Sequence, residues 1–215
     1  MNPYEALMDK VLQHFAGPDF KAELELAKKE FFGTQNLLEE HSDRFEQRMT
    51  LFFDWYFFTR ELGGYGRTPL DVCDQERALR FSTTEAAALS ALRSHRHSLF
   101  EFVKLKGDDV HLKDLLRNEK MVVRQSPWVY GFDGSEIFEA RLVPDEKTWI
   151  FTRGFCFHPE MASPFIFEEI KRHRKNPDLD PDELMLKLSR MRSKCDQYRH
   201  VRPEMIYSHE SKLTS

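Results

Sequence analysis

The chain has 215 residues and a formal net charge of −4 at pH 7. This length suffices to bury a substantial core, in one large domain or two small ones. Hydrophobic residues make up 40% of the chain and charged residues 32%, which is typical of a soluble globular protein slightly rich in charge. The negative net charge argues against nucleic-acid binding over the whole surface, while a local basic patch stays open.

Cysteine usage and the N-terminal residues bear on the compartment. Cys73, Cys156 and Cys195 are odd in number and far apart. This pattern fits a reducing compartment and not a disulfide framework. The first residues, MNPYEALMDK, lack the basic and apolar regions of a signal peptide. We therefore expect a cytoplasmic protein without a membrane partner.

The first two predicted elements are helices. Asn2 and Pro3 have the types favoured at the N-cap and first position of a helix, and Gly17-Pro18 ends it. A second helix is predicted to begin at Asp19 and to stop at Gly33.

The third element, FEQRMTLFFDWYFFTREL from Phe45 to Leu62, is the most apolar part of the chain. Its hydrophobic side chains recur at helical spacing in two rows, so that only a narrow strip is left for water. We assign that strip to Glu46, Thr50, Asp54 and Glu61. A helix that is apolar nearly all round is normally buried, and this run is too short and too interrupted for a bilayer. Asp43 with Glu46 resembles a capping box at its start.

Two more helices complete the N-terminal part. Thr68-Pro69 predicts a helix start, and we expect that helix to continue to about Phe81. Ser82 with Glu85 forms a capping box in front of an alanine-rich run. Residues 1–97 are therefore predicted to be a helical bundle.

The pattern changes at Ser98 from helical to strand-like. Five short runs rich in β-branched and aromatic residues are separated by Gly, Asp, Asn and Pro turns over residues 98–158. The simplest structure is a small five-stranded antiparallel barrel of the SH3 or OB type, with neighbouring strands paired in order.

Residues 159–215 return to helical patterns. Ser163-Pro164 opens a helix to about Lys175, and Asp180-Pro181 opens the last one. The tail after Pro203 is polar and is expected to fray. The predicted fold class is thus α+β, with three consecutive segments or one continuous globule.

Parts of the chain resemble a poorly characterised bacterial family. They are EFFGTQ from Glu30, FEQRMTLFFDWYFFTRELGGYGRTPL, LFEFVKLKGDDVHLKDLLRNEKMVV and GSEIFEARLV. The resemblance implies a helical bundle with an F-x-D-W-Y/F-x-F-x-R core helix, followed by a small β module. Some relatives carry a zinc motif similar to that of the SecA tail. That motif is missing here, because Cys195 and His200 alone cannot supply four zinc ligands.

Three residues are candidates for catalysis. Cys156 and His158 alternate along a strand, so both point to one face and could form a nucleophile pair. Asp54 lies in the most apolar helix and could be catalytic. The alternative is structural in both cases, since free cysteine usually behaves as a small buried hydrophobe and a buried carboxylate usually has a paired partner. No catalytic residue, metal or cofactor is assigned.

The C-terminal helices carry a basic segment. Residues 171–202 hold ten Lys and Arg against five Asp and Glu, whereas residues 1–62 hold twelve acidic and seven basic residues. The segment either complements the acidic half of the chain or presents a cationic surface to a partner. The candidate binding residues are Lys171, Arg172, Arg174, Lys175, Arg190 and Lys194.

Three functions from different classes remain open. The first is a non-enzymatic adaptor that binds another protein through the β module and the basic helices. The second is an RNA- or ribosome-associated protein that uses residues 171–202. The third and least favoured is a hydrolase that uses Cys156 and His158, or Asp54. The oligomeric state is not predicted.

Overall fold

The computed structural model describes residues 3–33, 45–124 and 137–210. The N-cap assigned to Asn2 and the capping box assigned to Asp43 lie outside these ranges. The described residues contain eight α-helices and a closed barrel of five strands, so the α+β prediction is confirmed. They form two compact units, which are treated separately below: residues up to 95 with 152–154, and the remainder from residue 96 onward.

The first unit contains five α-helices in chain order. They are α1 (Pro3–Phe15), α2 (Lys21–Phe32), α3 (Phe45–Phe58), α4 (Pro69–Val72) and α5 (Thr83–Arg93). The predicted capping box is present at α5, where the Ser82 hydroxyl accepts from the Glu85 N–H and the Glu85 carboxylate accepts from the Ser82 N–H at 2.7 Å. These paired bonds satisfy two of the N–H groups that a helix start leaves without partners.

The predicted core helix is α3, and its C-terminal half is the more deeply buried. Phe52, Tyr56 and Phe57 are fully buried. Two details of the prediction are wrong. The helix ends at Phe58 and not near Leu62, and Asp54 is buried instead of facing water. Gly154 explains the packing at Asp54, because a Cβ atom there would lie 2.8 Å from the Asp54 side chain.

The helix predicted to run from Thr68 to Phe81 is wrong in length. After α4, one 3-10 turn ends at Gln75 and the backbone becomes extended at Glu76. The Glu76 carboxylate is held by His14 at 3.1 Å and by the Tyr65 hydroxyl at 2.8 Å. These side-chain bonds pin the chain where the helical pattern alone would continue it.

Arg60 is a buried charge of the first unit, and it is paired with α2. Its Nε and Nη2 atoms donate to the two Glu30 carboxylate oxygens at 2.6 and 3.0 Å, and Nη1 donates to Glu23. Glu23 also accepts from the Gly63 N–H at 2.8 Å. Arg60 therefore meets its carboxylate partners on another element.

The second unit contains the barrel. Its strands are β1 (Arg96–Lys106), β2 (Asp109–Asp114), β3 (Glu119–Val123), β4 (Ile137–Asp145) and β5 (Thr148–Phe157). The interior is aromatic and aliphatic, built from side chains that alternate inward along each strand. It includes Phe100, Val110, Leu112, Val123, Phe138, Leu142 and Phe155.

The strand order around the barrel is β1-β2-β3-β5-β4, and β4 closes on β1. Pairing in sequence order is therefore wrong at β3, whose outer neighbour is β5. That pairing is parallel, at Val123 with Trp149, while the other four are antiparallel. The order 1-2-3-5-4-1 is that of an OB-type Greek-key barrel and not of a simple meander.

Three helices complete the second unit: α6 (Ser163–Lys175), α7 (Pro181–Gln197) and α8 (Pro203–Ile206). Their apolar faces share a core with Leu99 and Ile137 of the barrel. The frayed tail predicted after Pro203 is wrong up to Tyr207, because α8 buries Ile206 completely and leaves Tyr207 2% exposed.

The Arg60 network gives a pH-dependent test. Burial raises the pKa of Glu23, but the Gly63 N–H and Arg60 outweigh it and hold that pKa below its usual value. Stability from a carboxylate with a lowered pKa is present above the ordinary pKa and is lost as pH falls through the lowered one. Arg60→Met should therefore lower the free energy of unfolding by about 2–3 kcal/mol near neutral pH. Urea titrations should show this loss shrinking between about pH 6 and pH 3.

Glu30→Gln serves as the control, because the Glu30 side chain is 51% exposed. Because Arg60 keeps Glu23 as a partner in this variant, the loss should be smaller than that of Arg60→Met. An Arg60→Met loss that is the same at both ends of the pH range would contradict the assigned pairing.

Candidate nucleic-acid interface

The outward face of β2 and β3 is cationic. Along β2 the burial alternates, so that Val110 and Leu112 point into the barrel while His111 and Lys113 point outward. On β3 the outward positions are Lys120 and Val122, which lie directly across from Lys113 and His111.

The two lysines form a like-charge pair across neighbouring strands. Like charges placed directly opposite each other destabilise a sheet. On its other side Lys113 lies opposite Glu101 of β1, whose negative charge opposes that repulsion. A folded chain that keeps such a pair on an accessible face presents positive charge to its surroundings.

A groove of about 520 Å³ continues this face toward the β1–β2 and β4–β5 hairpins. Among its described lining residues, four are Lys or Arg, one is Asp and one is Trp. The lining comprises Lys106, Asp109, His111, Lys120, Met121, Val122, Arg124, Lys147, Thr148 and Trp149. The face of strands 2 and 3 between these two hairpin loops is where OB-type barrels bind oligonucleotides and oligosaccharides.

Trp149 supplies the aromatic surface of the groove, and barrel closure holds it there. Its backbone pairs with Val123, and its carbonyl oxygen accepts from the Arg124 N–H at 3.0 Å. The Arg96 guanidinium lies 5.0 Å from the centre of the indole ring. Arg96 is itself ion-paired with Glu119. The half-buried indole packs against the barrel core and lies under Arg96, so its position is fixed while part of its surface lines the groove.

The opposite end of the β2–β3 face is shaped by Asp114, which is fully buried. Its Oδ1 atom accepts from the Ser98 hydroxyl at 2.6 Å and from the N–H groups of Leu116 and Arg117 at 3.0 Å. Arg174 of α6 donates to the carbonyl oxygens of Leu115 and Leu116 in the same turn. The C-terminal end of α6 is therefore attached to the end of the cationic strands.

The basic residues predicted from the sequence lie on two helices. Lys171, Arg172 and Lys175 are exposed on α6, and Arg174 is engaged with the β2–β3 turn as described. Arg172 lies 3.6 Å from Glu169, one helical turn earlier. Arg190 and Lys194 are partly buried on α7.

The groove is not predicted from the sequence. Its cations come from separate strands and hairpins, so no local cluster marks them. The alternating pattern of β2 contains the one usable signal, since His111 and Lys113 occupy the polar positions of a half-buried strand. Their convergence with Arg124, Lys147 and Trp149 depends on the β3–β5 pairing.

Cys156 and His158 do point to one face, as predicted, and they meet Glu139 there. Burial raises the pKa of the Cys156 thiol well above its usual value, and Glu139 adds to that effect. Burial lowers the pKa of His158 to about 4, against an opposing contribution from Glu139. A protonated thiol that is 5% exposed is a poor nucleophile, so this environment does not favour the hydrolase hypothesis.

Asp54 lines an apolar groove of about 620 Å³ in the first unit. Arg153 at its edge is committed to Asp9, with two bonds of 2.8 and 3.0 Å. The described lining residues include neither His nor Cys. Asp54 therefore shares the described lining with the carboxylates of Asp9 and Glu46 and the Thr50 hydroxyl, but not with an imidazole or a thiol.

Comparison with known proteins places the chain in a family without assigning it an activity. A family of unknown function, DUF7986, matches residues 21–184. The chain belongs to DUF7986. The matched range includes the core helix, the barrel strands and α6, and the residues that line the groove lie within it. Resemblance to a poorly characterised family is thereby confirmed. No curated protein and no solved structure matches the chain significantly.

In the described ranges of this DUF7986 chain, none of the helices combines the length and hydropathy needed to span a bilayer.

The like-charge pair predicts a gain in stability on its removal. Lys120→Thr removes the repulsion with Lys113 and adds a residue suited to a strand. The free energy of unfolding should rise by about 0.5 kcal/mol at low salt. The gain should shrink at about 1 M salt, where the screening length is about 3 Å.

Lys106→Thr is the matched control, because Lys106 lies opposite Asp109 across β1 and β2. It should give no gain, and urea unfolding of both variants measures the difference. Equal shifts for the two variants would argue that cross-strand repulsion at Lys113 and Lys120 is absent.

Proposed function

We propose that this DUF7986 protein binds single-stranded nucleic acid along the outward face of β2 and β3. The observation that carries the proposal is the groove, in which Lys106, Lys120, Arg124 and Lys147 surround Trp149. Cations that follow a phosphate backbone and an aromatic ring on which a base stacks are the two components of single-strand recognition.

The dimensions favour a short single strand over a duplex. The six residues of β2 span about 20 Å at the rise of an extended strand. OB-type domains bind about 4–16 nucleotides, and a face of this length suits the lower end of that range. The like-charge pair of Lys113 and Lys120 supports the same conclusion, because a bound phosphate would relieve its repulsion.

The basic C-terminal residues enter the proposal as an extension of this face. Arg174 ties α6 to the β2–β3 turn, and Lys171, Arg172 and Lys175 are exposed nearby on the same helix. A longer nucleic-acid strand that extends past the β2–β3 turn would meet these positive charges. We propose that the groove is the primary binding site and that these residues extend it.

The setting of the proposal is a bacterial cytoplasm. Support comes from Cys73, Cys156 and Cys195, which are all free thiols, as a reducing compartment maintains them. The adaptor hypothesis, in which the partner is a protein, stays a prediction.

The proposal is tested by fluorescence anisotropy with labelled oligouridine and oligothymidine of about 12 nucleotides. Wild-type binding should weaken with salt, with log K falling by about 3 per tenfold increase in salt for four phosphate contacts. The triple variant Lys106→Glu, Lys120→Glu, Lys147→Glu should lose at least about 100-fold in affinity. Trp149→Ala should lose about 10- to 100-fold, and Trp149→Phe less, because the phenyl ring still stacks.

A matched control reverses three exposed charges in the first unit: Lys29→Glu, Arg77→Glu and Arg80→Glu. It changes net charge by the same amount and should retain wild-type affinity. The double variant Lys171→Glu, Lys175→Glu should weaken the binding of an oligonucleotide of about 24 nucleotides more than the binding of one of about 6. Equal losses in the groove and control variants would reduce the interaction to net charge and sink the proposal. The proposal also fails if the wild-type protein binds neither oligonucleotide and instead captures a protein partner in a salt-insensitive manner.

A further inference from the structure

The second unit contains a buried polar cluster on the side of β4 and β5 that faces away from the barrel interior. Glu139 of β4 lies directly opposite Cys156 of β5 in the antiparallel register. His158 follows two residues after Cys156 and therefore projects to the same side. The three residues are 4%, 5% and 1% exposed. Unlike the groove, this cluster is enclosed, and the nucleic-acid proposal does not involve it.

His158 has one ring nitrogen whose hydrogen-bonding capacity is unused. Its Nδ1 atom lies 2.8 Å from the Tyr207 hydroxyl. Its Nε2 atom is buried and has no hydrogen-bond partner among the described residues. Either neutral tautomer leaves Nε2 unsatisfied, as a bare lone pair or as an unpaired N–H. A buried polar group in that state costs about 1–3 kcal/mol, so it requires a physical account.

We propose that Cys156, His158 and Glu139 bind a divalent cation of the zinc type. The Cys156 Sγ, one His158 ring nitrogen and one Glu139 carboxylate oxygen all lie within 4.8 Å of one another. Zinc bonds of about 2.0–2.3 Å separate ligand atoms in a tetrahedron by about 3.3–3.8 Å. A contraction of about 1 Å therefore completes the site.

The surrounding hydrogen bonds suit a metal centre. When Nε2 binds the cation, Nδ1 carries the proton and donates to the Tyr207 hydroxyl, which fixes the ring as an outer partner does in zinc sites. The Glu139 oxygens are oriented by the His97 Nε2 atom at 2.9 Å and the Ser189 hydroxyl at 2.8 Å. His97 is in turn bonded to Asp182.

The ligand types select the metal. One sulfur, one imidazole nitrogen and one carboxylate oxygen are the donors that Zn²⁺ accepts, whereas Mg²⁺ and Ca²⁺ require oxygen. On binding, the Cys156 thiol releases its proton to solvent, and two anionic ligands then balance the charge of the cation. The fourth position is left for a water molecule or the Ser189 hydroxyl. Because all three ligands are buried, we assign the ion a stabilising role that ties β4 to β5.

The full-length protein, stripped with a chelator under reducing conditions, tests the site by titration with Co²⁺. A thiolate ligand gives a sulfur-to-cobalt charge-transfer band in the near ultraviolet, and Zn²⁺ should abolish it by displacement. We expect about one equivalent of bound metal per chain. Zn²⁺ should also raise the melting temperature of the wild-type protein, because a ligand that binds only the folded state stabilises it.

The variants assign the ligands. Cys156→Ser should lose the sulfur band, and His158→Gln should weaken Co²⁺ binding by at least about 10-fold. Cys195→Ser is the matched control, because Cys195 is a half-buried free thiol of the same unit outside the cluster, and it should keep the band. Far-ultraviolet circular dichroism identifies any variant that fails to fold.

If the variants do not fold, the metal titration and the melting temperature of the wild-type protein test the site. A sulfur band with saturation at one equivalent and a zinc-dependent rise in melting temperature support the site. Absence of both in folded, reduced wild-type protein overturns it and leaves the cluster as a hydrogen-bond network. A band that Cys195→Ser removes and Cys156→Ser keeps overturns it as well.

Discussion

Closure of the barrel through one parallel contact is the constraint on which the candidate site depends. β3 pairs with β5 at Val123 and Trp149, and the Arg124 N–H extends the contact by bonding to the Trp149 carbonyl oxygen. This pairing brings the β4–β5 hairpin beside the β1–β2 hairpin, although about forty residues separate them along the chain. Without it Lys147 and Trp149 would lie apart from Lys106, Lys120 and Arg124, which the β1–β2 and β2–β3 pairings bring together.

Two of the buried charges in this protein are placed where another element satisfies them. Arg60 is held by two glutamates of α2, and Asp114 accepts bonds from β1 and from the turn that it shapes. Such groups fix the orientation of elements, because an unpaired charge in the interior costs several kcal/mol. At His158 one buried nitrogen has no hydrogen-bond partner among the described residues, and it belongs to a cluster with a thiol and a carboxylate. This combination of donor atoms distinguishes the Cys156 cluster from the structural ion pairs.

Local features of the fold could be predicted from the sequence, because their causes are local. The Ser82 capping box, the proline starts of α6 and α7 and the five strand-like runs all follow from residue types at fixed spacing. Errors arose where distant side chains decide: bonds from His14 and Tyr65 hold Glu76 and stop a helix early, and burial of Tyr207 orders a tail that looks polar. The groove and Glu139 were missed for the same reason, since cross-strand register brings their residues together.

The outward face of β2 and β3 is the surface that we propose for nucleic-acid binding. Amide chemical-shift mapping of the full chain with an unlabelled oligouridine tests this proposal most directly, because each residue reports separately. Binding at this face predicts saturable shifts concentrated in residues 104–124 and 147–149, together with the Trp149 indole N–H. Shifts confined to α1–α5, or none at all with an oligonucleotide in excess, would contradict it.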